Sequence, residues 1–366
     1  MKKILKIILL TVACSLGALA ADKEIIPDLE WREISDIGFD GQAWSGEEYP
    51  FPYARIPLKF KGQVTKNVWN YSLTPTGLSV TFETNSNQIW IDCEFREDNP
   101  AKFWFANSGF DLYASDGGKF RWLATTPISK IKSGEKIYKL SALNGKENTY
   151  RVYLPLRNII KSAKIGVQKG ATFKRIVSMQ KPIVFYGTSI VHGAWAFHSG
   201  ISHPSLIGRG RLNKPIINLG FSGSAQMEIG MAEMLATIDA ELYFIDATQN
   251  MNKKLIEERC KKFLKRLREL RPDTPIVVAE EATSATAWYW QHTDGKPYVA
   301  EKCQAQRAIV RKLQESGFKE LYYIDGEWLF GEHGETSPDN CHPGDIGMMN
   351  MADKFTPVIE KILKRQ

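Results

Sequence analysis

The sequence predicts two domains in series. Residues 21–176 read as an all-β sandwich, and residues 177–366 as a three-layer α/β domain in which a parallel sheet is flanked by helices. Three observations carry this. After Lys181, apolar runs of strand length alternate with helical patterns, as in a sheet covered on both faces. Before it, short alternating or β-rich runs recur between turn-forming residues. At the join, Ile183-Val184-Phe185-Tyr186 runs into Gly187-Thr188-Ser189, so that a strand, a tight turn and a hydroxyl follow one another.

A chain of 366 residues suffices for two domains of ordinary size. With 43% hydrophobic and 24% charged residues it is globular rather than disordered in composition. The formal net charge is +7, and removing Lys2, Lys3 and Lys6 leaves +4, spread without a basic block, so nucleic-acid binding is not indicated. Those lysines belong to a leader: a charged start, an apolar stretch, and Ala18-Leu19-Ala20 as a small-x-small cleavage site before Asp22-Lys23-Glu24. Residues 1–20 are therefore expected to be a signal peptide and the mature protein to be periplasmic or extracellular. The alternative is lipidation at Cys14, against which Thr11 stands where a lipoprotein site prefers leucine. No apolar run is long enough to span a bilayer. Beyond Cys14, Cys93, Cys260, Cys303 and Cys341 show neither a disulfide framework nor zinc spacing, so mostly buried free thiols with at most one bridge are expected.

In the first domain the strand candidates are 78–82, 88–92, 102–105 and 150–154, separated by Pro75-Thr76-Gly77, Asn85-Ser86-Asn87 and Asp116-Gly117-Gly118. Six of the ten tryptophans fall in this half, read as sandwich core. In the second domain strands are expected at 183–186, 216–219, 242–245, 276–279 and 321–324, with helices at 225–238, 253–270, 300–316 and 347–363. In such a sheet the ligand sits beyond the carboxyl ends of the strands.

Histidine is scarce, with six in the chain. His342 closes Asp339-Asn340-Cys341-His342, after the last strand and before the last helix. A D-x-x-H pair can set a carboxylate against one ring nitrogen while the other faces a serine, fixing the tautomer and stabilising the imidazolium. Oxyanion donors must be in place before charge develops. Asn218-Leu219-Gly220-Phe221-Ser222-Gly223 offers the Gly223 amide after one strand, and Asp246-Ala247-Thr248-Gln249-Asn250 offers an amide donor after the next. Asn252 lies two residues further on.

In order these blocks read G-x-S, N-x-G-x-x-G, a strand-end asparagine and D-x-x-H. The second half thereby resembles the SGNH (GDSL-like) hydrolase family, which implies an SGNH-type, flavodoxin-like parallel sheet. The resemblance implies Ser189 as nucleophile, His342 and Asp339 as the rest of the triad, and the Ser189 amide, Gly223 and Asn250 as oxyanion donors. Thr188 departs from the G-D-S-L form, Ile190 replaces its leucine, and the glycine that usually precedes the asparagine is missing. Gly109-Phe110-Asp111-Leu112-Tyr113 matches the G-x-D-L-Y signature of a β-sandwich domain that precedes a subset of these hydrolases.

What this implies is a secreted serine esterase releasing small acyl groups, foremost acetyl, from carbohydrate, with no metal or organic cofactor. His192 and His198, just past the nucleophile, are expected to line the cleft. Trp195 and Trp288-Tyr289-Trp290 are read as stacking faces for a sugar, with core packing as the alternative. Two rivals stay open: an acyltransferase using the same acyl-enzyme, and a carbohydrate-binding protein with a degenerate hydrolase half. An α/β-hydrolase elbow, G-x-S-x-G, is excluded because Val191 occupies its last position. His192, His198 and His203 have no zinc-binding spacing.

Overall fold

The computed structural model describes residues 25–96, 109–284, 286, 289, 300–331 and 335–365. The expected signal peptide, the expected strand at 102–105, and Trp288, Trp290, His292 and His333 lie outside the described residues.

The first domain forms two antiparallel sheets. Strands β1 (Leu29–Glu33), β2 (Ser79–Thr84), β3 (Gln88–Phe95), β4 (Asp111–Asp116) and β5 (Lys119–Thr125) are followed by β6 (Ile137–Ala142), β7 (Asn148–Tyr153), β8 (Ile160–Gln168) and β9 (Lys174–Arg175). One sheet has the order β1-β8-β3-β6 and the other β5-β4-β7-β2-β9. Alternate residues point inward: Val80, Phe82, Leu112 and Val152 meet Ile89, Ile91, Cys93, Ile165 and Val167 in one buried cluster.

This half is not purely β. Thr65 caps a helix at Lys66–Ser72 by accepting from the Val68 amide at 3.3 Å. Trp44, Ile56, Phe60 and Val68 are buried in the core of the second domain. The Trp44 indole also donates to Thr237 Oγ1 at 2.8 Å. Apolar residues of this stretch therefore fill the α/β core, and the two domains share a continuous seam.

The second domain has β10 (Ile183–Gly187), β11 (Ile216–Gly220), β12 (Leu242–Asp246), β13 (Ile276–Ala279) and β14 (Leu321–Ile324), parallel throughout in the order β11-β10-β12-β13-β14. Both faces are covered, which is why these strands read as unbroken apolar runs. Val184, Tyr186, Tyr243 and Ile245 pack with helices Ile229–Ala236, Lys253–Leu270 and Glu301–Glu315. Ile183, Phe185, Leu242 and Phe244 face helix Asp345–Leu363 through Met351, Phe355 and Ile359. From β10 the chain goes to β11 on one side, then crosses to β12 on the other. That reversal opens a crevice beyond the carboxyl ends of β10 and β12. Cys93, Cys260, Cys303 and Cys341 are unbridged. Among the described residues no helix is long and apolar enough to cross a membrane.

Candidate active site

Ser189 starts a one-turn helix, Ser189–His192, directly beyond β10. Glycine is required on both sides of that turn. A Cβ on Gly187 collides with the Asp246 carbonyl, and one on Gly220 collides with the His192 amide. Asn218 locks the turn to the neighbouring strand end, its Nδ2 donating to the Val191 carbonyl at 2.8 Å and its Oδ1 accepting from the Gly220 amide at 2.9 Å.

The loop before helix Asp345–Leu363 brings His342 Nε2 to 2.8 Å from Ser189 Oγ. His342 Nδ1 lies 2.7 Å from Asp339 Oδ2. A carboxylate only accepts, so Nδ1 carries the proton and Nε2 is free to accept from the serine. Asp339 Oδ1 accepts from the backbone amides of His342 at 2.7 Å and Cys341 at 3.0 Å, while Trp195 Nε1 donates to Oδ2 at 2.8 Å. Partial burial works to raise the Asp339 pKa. The amide and ring of His342, the Cys341 amide and the Trp195 indole outweigh it and hold the carboxyl well below its ordinary range. The His342 pKa is raised above its ordinary 6.5, first by the neighbouring Cys341 side chain and then, against burial, by Asp339.

Ser189 and His342 open into a cavity of about 380 Å³ that is also lined by Gly223, Gln249, Asn250, Trp195 and Arg157. Gly223 has φ +64, and apart from its chain neighbours no atom lies within 4 Å of where its Cβ would be, so its Cα is open on that side. Asn250 Nδ2 donates to the Ser224 carbonyl at 2.7 Å, and Gln226 Nε2 donates to the Asn250 carbonyl at 2.7 Å, which ties the two strand ends together. The neighbouring candidate, Asn252, is committed elsewhere: its Oδ1 caps helix Lys253–Leu270 through the Leu255 amide at 2.9 Å. Thr188, the departure from G-D-S-L, hydrogen-bonds Gln249 Oε1 at 3.3 Å, and Gln249 Nε2 donates to Asp246 Oδ1 at 2.7 Å.

Two of the expected cleft residues are elsewhere. His192 is fully buried and does not line the cavity. Leu156, Thr74 and Tyr71 of the first domain cover it, a contact invisible in local sequence. Its Nε2 is 3.1 Å from the Leu156 carbonyl, so that nitrogen carries the proton, and Nδ1 accepts from Ser222 Oγ at 3.1 Å. Burial, then the charges of Arg157 and Arg55, push its pKa well below 6.5, leaving a neutral brace behind the Gly223 loop. His198 points into the domain seam, where its Nδ1 meets Asp111 Oδ2 at 2.6 Å. Burial opposes its protonation, but the Asp111 hydrogen bond and charge raise its pKa on balance. Trp195 does line the cavity, half-exposed, and adds the bond to Asp339 that its sequence did not announce.

The seam also gives the G-x-D-L-Y residues a physical task. The Gly109 carbonyl accepts from Ser199 Oγ at 2.7 Å, and Asp111 Oδ2 accepts from the Gly200 amide at 2.5 Å. The Tyr113 ring leaves no room for a Cβ on Gly200 and carries the Arg209 guanidinium 3.7 Å above its centroid. Two arginines to which the sequence assigned no site role also reach this region. Arg55 is fully buried; its guanidinium donates to the carbonyls of Asn218 at 2.9 Å and Gly220 at 3.0 Å and lies 4.9 Å from the Phe221 ring centroid. Arg157 reaches the cavity from the loop after β7. They stand in Arg55-Ile56-Pro57 and directly after Tyr153-Leu154-Pro155-Leu156, and neither stretch says in sequence which strand end its arginine meets.

Comparison with known proteins agrees with this architecture. A GDSL-like lipase/acylhydrolase family description matches residues 180–360, and the GxDLY description, the N-terminus of SGNH-hydro-type esterases, matches residues 29–173. A crystal structure of a protein described as a GDSL-like lipase from Bacteroides ovatus superposes with a TM-score of 0.82 at 29% identity, covering 92% of this chain and 98% of that one. A salicylyl-acyltransferase from a tetracycline biosynthetic pathway shares the fold with a TM-score of 0.69 at 17% identity, over 91% of this chain and 97% of the other. A family two carbohydrate esterase from Cellvibrio japonicus does so with a TM-score of 0.57 at 12% identity, over 93% and 99%. No curated protein matches the chain significantly. The chain belongs to the GDSL-like lipase/acylhydrolase (SGNH hydrolase) family, in the subset that carries an N-terminal GxDLY domain.

Proposed function

We propose that the protein is a secreted serine esterase that removes small acyl groups, foremost O-acetyl, from carbohydrate. The observation that carries this is the continuous chain Ser189 Oγ, His342 Nε2, His342 Nδ1, Asp339 Oδ2, with steps of 2.8 and 2.7 Å, opening on a cavity shared with Gly223 and Asn250. His342 takes the Ser189 proton as Oγ attacks the ester carbonyl. The amides of Ser189 and Gly223 and the Asn250 side chain receive the oxyanion. Collapse of the intermediate expels the alcohol, which takes its proton from His342, and leaves Ser189 acylated. Water, deprotonated by His342, then attacks the acyl-enzyme and releases the acid. Asp339, held ionised, stays a carboxylate throughout and stabilises the imidazolium. Carbohydrate as the alcohol is supported by the shared fold of the Cellvibrio japonicus carbohydrate esterase and by the half-exposed Trp195 ring at the cavity. Secretion is supported by the leader-like residues 1–20.

The test is turnover of a short aryl acetate, then acetate release from a panel of acetylated polysaccharides. Wild type is expected to hydrolyse the aryl ester and at least one polymer, and Ser189→Ala neither. Equal aryl acetate turnover by Ser189→Ala overturns the mechanism. Product analysis with an added acceptor alcohol reads hydrolysis against transfer.

A further inference from the structure

The catalytic cavity contains a charge that the esterase mechanism does not use. Arg157 is contributed by the first domain, and its backbone is held firmly against the nucleophile's helix. The Leu156 carbonyl accepts from Thr76 Oγ1 at 2.6 Å and from His192 Nε2 at 3.1 Å. The Leu156 side chain fills the space beside Gly193, so that a Cβ there would lie 2.8 Å from Leu156 Cδ1. From this anchor the Arg157 guanidinium reaches Ser222 Oγ at 3.3 Å, next to the oxyanion candidate Gly223.

Among the described residues no carboxylate pairs with Arg157, and Ser222 is its one protein hydrogen-bond partner. A guanidinium has five donors, so most of its capacity remains unused by the protein. It is half-buried, and burial pulls its pKa down. Holding an uncompensated cation in such a place is unfavourable, and an incoming anion relieves the cost. Among the described residues no carboxylate lines the cavity to compete for it.

We propose that Arg157 forms an anion subsite within the esterase cavity and that the carbohydrate deacylated there is a uronate, whose carboxylate accepts from the guanidinium. This rests on the esterase reading: an acetyl group carries no charge, so the anion belongs to the sugar. One guanidinium with a planar fork of donors suits a single carboxylate, which it can bind through two parallel hydrogen bonds.

The experiment compares kcat/KM for an O-acetylated methyl galacturonoside with that for the matched O-acetylated methyl galactoside, and the ratio cancels any loss common to both. Wild type is expected to favour the uronate by roughly tenfold or more, through KM, with the preference shrinking as salt is added. Arg157→Gln is expected to bring the ratio close to one, and Arg157→Lys to retain part of it. A ratio near one in wild type, or an unchanged ratio in Arg157→Gln, overturns the proposal. If no ester of any kind is turned over, it is the esterase reading that fails. Calorimetry with methyl galacturonoside then decides the subsite: binding that Arg157→Gln abolishes upholds it, and absence of binding overturns it.

Discussion

Trp195 Nε1 donates to Asp339 Oδ2 at 2.8 Å, the same carboxylate oxygen that stands 2.7 Å from His342 Nδ1. An indole from the segment after Ser189 thus orients the carboxylate of the D-x-x-H loop, and together with the His342 and Cys341 amides it holds a partly exposed carboxylate in one geometry. Trp195→Phe keeps the apolar face and removes this donor. Its kcat on an aryl acetate is expected to fall about three- to tenfold, in line with the net contribution of one ordinary hydrogen bond. Unchanged kcat would mean that the two backbone amides suffice.

The pH profile follows from His342, which must be neutral to accept the serine proton. Its pKa is raised by Cys341 and Asp339, so activity is expected to rise with pH through an inflection above 6.5. Asp339→Asn removes one of the groups that raise it and destabilises the imidazolium. The inflection should move down and kcat should fall by about 10²–10⁴. An Asp339→Asn profile superimposable on wild type would assign the orientation of His342 to another group.

Asn250→Ala is expected to lower kcat by about 10²–10³ with little change in KM, because an oxyanion donor acts in the transition state. Asn252→Ala, which removes a helix cap, should instead cost about 1 kcal/mol of stability and leave kcat near wild type. Kinetics and urea unfolding of the two variants side by side separate these outcomes, and reversed phenotypes would transfer the oxyanion role to Asn252.

Arg55 offers a stability test. Its guanidinium serves the carbonyls of Tyr71, Thr74, Asn218 and Gly220, joining the first domain to the strand end that carries the Gly223 loop. Arg55→Met leaves these buried acceptors without their donor. A loss of at least about 3 kcal/mol in urea unfolding is expected. An unchanged urea midpoint would show that water or a shifted loop replaces it.

Asp246 makes stability depend on pH in the opposite sense to an ordinary carboxylate. Burial, set against the Gln249 hydrogen bond, raises its pKa from 3.8 to about 7. The folded state therefore favours the protonated acid. Its contribution is full below the unfolded pKa and is lost as pH rises through about 7. Asp246→Asn mimics the protonated form. Its Tm is expected to match wild type near pH 4 and to exceed it by at least about 2–4 °C at pH 8–9. An equal difference at both pH values would mean that Asp246 does not titrate in this range.

Much of the α/β domain was legible because its determinants are local. Apolar runs covered on both faces look alike in sequence and in structure, and the helix at Lys253–Leu270 carries its own cap in Asn252. Asp339 and His342 lie three residues apart on one loop, so a single turn brings them together. Ser189 and Gly223 follow strands whose parallel register sets their turns side by side, with Gly187 opposite both Gly220 and Asp246. The strands β1, β4, β5, β6, β8 and β9 were missed because polar or charged residues interrupt their runs, and pairing with neighbours decides them.

By itself, then, the sequence determined the two-domain order, the parallel sheet, and the short blocks that stand at its carboxyl edge. Tertiary structure alone decided what lies between the domains. His192 and His198 share a segment with Ser189, yet the first domain's Leu156 and Asp111 draw them away from the cavity, while Arg157 from that same domain enters it. Periodicity and turn chemistry act over a few residues and can be read along the chain. Burial and charge pairing across a seam depend on which distant surfaces meet, and that is settled only when the domains pack.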